Sequence, residues 1–84
     1  MKFKVIILPD GQKVAGMVEG AFYSEDLKQI DVYIKTSRHG STDRISIPVI
    51  DGKEWEMVQL VYEMLNDDIA AVDLNGLYEA VEEL

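Results

Sequence analysis

The chain has 84 residues with 16 acids against 8 bases, a net charge of −8, and no cysteine. A chain this short buries only about 60% of its unfolded surface around one modest core, which excludes a second domain and makes residues 1–84 one domain, a β part over 1–50 and an acidic helical part over 51–84. The acidic balance excludes direct nucleic-acid binding, which needs a concentrated basic stripe, and the lack of cysteine excludes disulfides, thiol catalysis and thiolate metal sites.

The opening residues Phe3, Val5 and Ile7 alternate with Lys4 and Ile6 and are rich in β-branched types, so residues 2–8 read as a strand. Their apolar run stops at Pro9-Asp10-Gly11, short of the ~7–15 residues of a signal-peptide core, and no segment approaches the ~18 apolar residues of a membrane span. A soluble, cytoplasmic protein with no membrane partner is expected. Pro9-Asp10-Gly11 fixes a turn and predicts a hairpin into a second strand from Lys13 to Tyr23. Gly16 and Gly20, four apart in that strand, predict bulges or sharp coiling, hence a bent sheet.

Ile30, Val32 and Ile34 alternate with Asp31, Tyr33 and Lys35, predicting a third strand with one wet face. After the polar loop Ser37–Arg44, Ile45, Ile47 and Val49 alternate with Ser46 and Pro48. Because proline has no N–H for a ladder, Pro48 places this fourth strand at an edge or marks a bulge. Four successive strands predict an antiparallel meander.

The period then changes to about 3.6. Asp51 and Glu54 have the spacing of a capping box, predicting a helix from Gly52 or Lys53 to about Asn66. Its apolar residues, Trp55, Met57 and Met64 among them, cover an arc of about 220°, too wide for one sheet face. The last helix or another molecule must cover the remainder. Asp73 as N-cap and Leu74, Leu77, Tyr78, Val81 and Leu84 predict the final helix, while Ile69-Ala70-Ala71-Val72 fits a helical turn, a short strand or a packed connector. Glu82 and Glu83 fall in its last turn, where the helix dipole is already negative, so local stability does not account for them. The overall expectation is an α+β fold, a bent four-stranded antiparallel sheet followed by two C-terminal helices packed on it.

Every lysine and arginine lies at or before Lys53, so residues 1–53 carry net +1 and residues 54–84 carry nine acids and no base. Segregation of this kind concerns partners and encounter rates rather than fold. Glu56, Glu63 and Asp67 share a helical angle at spacings of about 10 and 6 Å along the axis, of the same order as the ~7 Å between phosphates of a strand. With Glu79, Glu82 and Glu83 on the second helix, they form a candidate partner-binding surface, that of a non-enzymatic interaction protein docking on a basic protein surface or an inhibitor mimicking nucleic acid. A merely solvated acidic face is the plainer account. The alternative function is a homodimer or other homo-oligomer built on the apolar face of helix 53–66.

Other motifs carry less. Ser, His and Asp crowd into the loop 37–44, whereas a hydrolase triad draws on separate elements. There Arg38, His39 and Arg44 are a candidate anion or partner loop, beside the plainer reading of a solvated hairpin loop. Asp73, Asn75, Gly76 and Glu82 match four positions of a calcium loop, but Ala71 stands where the first carboxylate belongs. No metal, no cofactor and no catalytic residues are expected.

The run Leu8-Pro9-Asp10-Gly11-Gln12-Lys13-Val14-Ala15-Gly16-Met17-Val18 resembles the first motif of Sm-like small barrels, a strand, a glycine turn and a second glycine-bearing strand. The resemblance implies a sheet curled as in SH3-like barrels. The chain lacks the helix that precedes the barrel in that family and the glycine and basic residue of its second motif, so RNA binding is not carried over.

Overall fold

Alternating side chains and turn residues produce strands in the places they predict, and the segment left open between a helical turn, a short strand and a connector supplies one further strand. The computed structural model describes residues 2–36 and 40–84. In chain order it contains β1 (Phe3–Ile7), β2 (Lys13–Ser24), β3 (Gln29–Lys35), β4 (Thr42–Pro48), α1 (Glu54–Asn66), β5 (Ala71–Asp73) and α2 (Leu74–Glu82). The sheet order is β4-β3-β2-β1-β5, antiparallel except for β5, which runs parallel to β1. The fold is α+β, but the sheet has five strands and is mixed, which corrects the four-stranded antiparallel meander. The open edge of β1 is the reason. It takes up Ala71–Asp73, with Val5 N donating to Ala70 O at 2.8 Å.

The long β2 pairs with β1 through Lys13–Met17 and with β3 through Met17–Ser24, so only Met17 has partners on both sides. A register shift between Val18 and Gly20 bends the strand, as the two glycines predict. At Gly16 the carbonyl group of Lys35 occupies the space a Cβ would need, so the crossing of the two hairpins requires glycine. The sheet curls but stays open. A groove of about 640 Å³, floored by Leu8, Val14 and Ile45, separates edge strand β4 from the β1–β2 hairpin. Pro48 ends that edge strand, where its missing N–H costs no ladder bond.

Both helices cover one face of the sheet. Ile6, Val18, Ile30, Val32, Ile34, Ile47 and Val72 from the strands meet Met57, Val61, Leu65, Leu77 and Val81 from the helices in one core. Met57 is fully buried there, and its Sδ accepts from Ile50 N at 3.1 Å. The wide apolar arc of α1 is therefore shared between the sheet and α2, and Trp55 alone of its large residues stays mostly exposed, against Tyr23. Among the described residues no helix is long and apolar enough to cross a membrane, and the other sheet face carries no helix.

Candidate functional site: the acidic helix pair and its groove

The N-terminus of α1 departs from the capping box. Gly52 adopts a left-handed φ of +83°, which turns Asp51 away from the helix to face Lys28 at 3.5 Å. Lys53 becomes the N-cap without a side-chain capping bond, and Glu54 reaches back to accept from Gly52 N at 3.0 Å. At α2 the expected cap forms, with Asp73 Oδ1 accepting from Asn75 N at 3.1 Å.

Neither helix carries a base in its last turn, yet both C-termini are served by lysines from elsewhere. Lys53 Nζ donates to the main-chain oxygens of Val81 (3.0 Å), Glu82 (3.3 Å) and Leu84 (2.7 Å), placing positive charge where Glu82 and Glu83 add negative charge to the dipole. Lys4, only 1% exposed, donates to Asp67 O (2.9 Å), to Asp67 Oδ1 (2.8 Å) and to Ile69 O beyond the end of α1. Its three protons thus have three acceptors, the condition under which a buried ammonium is tolerated. The hydrogen bond from Lys4 holds the Asp67 carboxyl below the usual range, and that from Lys2 does the same for Asp68.

Between α1 and α2 runs a shallow groove of two adjoining hollows, about 310 and 390 Å³, with Leu60 and Ala80 lining both. Glu56 and Glu63 flank the first hollow, whose far side is Leu84, and Asp67 and Asp73 flank the second, over Met64 and Leu77. Small residues at Gly76 and Ala80 leave the trough open along α2. The result is an apolar floor with Glu56 and Glu63 along its α1 side and Asp67 and Asp73 at the second hollow.

Glu56 and Glu63 therefore stand together, as their shared helical angle predicts. Asp67 lies in line but is engaged by Lys4 and by Ile69 N. Glu79 and Glu82 of α2, and Glu83 at its C-cap, are exposed. Arg44 is exposed on β4 opposite Tyr33, while Arg38 and His39 lie outside the described residues. No group of three metal-ligating side chains forms among the described residues, and Asp73 and Asn75 make the α2 cap. Sequence reasoning missed Lys4 and Lys53. The one available signal was their isolation, as bases flanked by apolar strand residues or standing just before a long acidic segment. No protein-family model matches the chain, and neither the curated proteins nor the solved structures compared with it give a match.

Proposed function

We propose that this protein acts by binding, presenting the α1–α2 groove to a basic surface of a protein partner. The observation that carries the reading is the pairing of Glu56 and Glu63 with a trough floored by Leu60, Ala80 and Leu84. Carboxylates at a rim steer a cationic partner and fix its register, while the apolar floor supplies the contact that holds it. Glu79, Glu82 and Glu83 extend the negative field along α2, and Asp67 contributes charge while serving the fold. The absence of bases after Lys53 supports the same reading, because no positive charge on this segment opposes an approaching cationic surface.

The test is affinity capture from nuclease-treated lysate, washed at low and then moderate salt, with three baits. Wild type should retain proteins that moderate salt releases. The Glu56→Lys/Glu63→Lys double variant should lose them, and Glu25→Lys/Asp26→Lys, equal in charge change but at the β2–β3 turn, should keep them. Equal retention by all three would sink the proposal, and recovery of the protein alone with a dimeric sedimentation coefficient would favour self-association.

A further inference from the structure

The sheet face without helices holds a carboxylate that no described cation neutralises. Asp31 sits at the middle of β3, between Phe22 of β2 and Ser46 of β4, and is only 9% exposed. Its Oδ1 accepts from Gln29 Nε2 at 2.8 Å and from Ser46 Oγ at 2.9 Å. Its Oδ2 accepts from no described residue. Among the described residues no fully buried side-chain oxygen is left without a partner, so Oδ2 keeps some access to solvent. The ion pairs among the described residues are Lys2–Asp68, Lys4–Asp67 and Lys28–Asp51, and Arg44, on the same face, makes none.

Neutral donors offset only part of the cost of taking an ionised carboxylate out of water, and the expected complement is a cation. An aromatic pair stands beside this one. Phe22, paired directly with Asp31, is 63% exposed and meets Tyr33 edge to face, centroids 5.8 Å apart at 66°. An oriented carboxylate oxygen next to an exposed ring matches a guanidinium, whose N–H groups donate to the carboxylate while its plane lies on the ring. Arginine fits better than lysine because its planar head is weakly hydrated and stacks, whereas an ammonium keeps its water.

We propose that Asp31, Phe22 and Tyr33 form a seat for an arginine side chain of a protein partner. Gln29 and Ser46 are positioning residues, fixing Oδ1 so that Oδ2 faces outward. Charge complementarity names the occupant. The seat lies on the face opposite the α1–α2 groove and does not depend on the groove's function.

The experiment is an amide-resolved NMR titration of the isotope-labelled protein with N-acetyl-arginine amide, set beside its uncharged isostere N-acetyl-citrulline amide and N-acetyl-lysine amide. The arginine probe should shift the amides of Phe22, Asp31 and Tyr33 saturably, with a dissociation constant on the order of millimolar for so few contacts. The citrulline probe should bind at least ~10-fold more weakly, and lysine should fall behind arginine by several-fold. Asp31→Asn, its fold checked in the same spectra, should lose the arginine response by ~10-fold or more, and Phe22→Leu, a change at an exposed side chain, by several-fold. Glu56→Lys/Glu63→Lys should leave it unchanged. Equal binding of citrulline, lysine binding as tight as arginine, a response that survives Asp31→Asn, or shifts confined to the helices would each overturn the assignment.

Discussion

Lys4 and Asp67 are 63 residues apart in the chain and meet at 2.8 Å, where the first strand passes beneath the end of α1. The same ammonium bonds two main-chain oxygens there, so one side chain of the sheet both neutralises a carboxylate and terminates a helix. Lys4→Met keeps the buried stem but removes the three bonds, and it should cost about 2–4 kcal/mol in denaturant unfolding.

The linked pH dependence has a definite sign. Asp67 and Asp68 have folded pKa values below their unfolded ones, so their contribution is complete above about pH 4, where the unfolded carboxyls are also charged. It is lost as pH falls through the lowered folded values. Thermal melts from neutral to acid pH should show a decline that is shallower in Asp67→Asn, and identical profiles would count against the lysine contacts.

Lys53 performs the corresponding service at α2. Lys53→Met should cost about 1–2 kcal/mol and speed hydrogen exchange in the last turn of α2 selectively. Unchanged exchange there would mean that the carbonyls are satisfied by solvent alone.

Two glycines should respond differently to alanine. Gly16→Ala places a Cβ against the Lys35 carbonyl and should cost about 2–3 kcal/mol, because main chain has to move. Gly52→Ala meets no neighbour within 4 Å and carries only the left-handed backbone penalty, about 1 kcal/mol. Urea midpoints of the two variants measure the difference.

Tyr78 donates its hydroxyl to Pro48 O at 2.6 Å, and burial raises its pKa. With the folded value above the unfolded one, its contribution is complete below about pH 10 and lost as pH rises through the folded value. Tyr78→Phe should lower stability at neutral pH by about 1 kcal/mol and make the alkaline decline shallower. Ultraviolet titration of the phenols should show one late-titrating tyrosine that the variant lacks.

The four strands and two helices that the sequence predicts have local periodicity, and each spans enough residues for that signal to accumulate. β5 has only three residues, and its strand character comes from pairing with β1, whose partner edge lies across the whole chain. The capping box at Asp51 failed because the spacing carries no information about Gly52's backbone. Asp31 read as part of a wet face because alternation reports which side a residue faces, not what Phe22, Gln29 and Ser46 place around it. In the candidate site, helical angles sufficed to group Glu56 with Glu63, but the apolar trough beside them needed the approach of α2.

The parallel pairing of β5 with β1 has a consequence for how quickly the molecule assembles. β1 pairs along one edge with residues more than sixty positions later, and α1 lies between the two partners in the chain, so the Lys4 contact and the β5 register both require a long-range closure. The hairpins of β1 to β4 close over short loops, but this closure spans a loop of most of the protein. Folding should therefore be slow for an 84-residue chain, with its barrier set by the return of the C-terminal segment to the N-terminal strand rather than by any single hairpin.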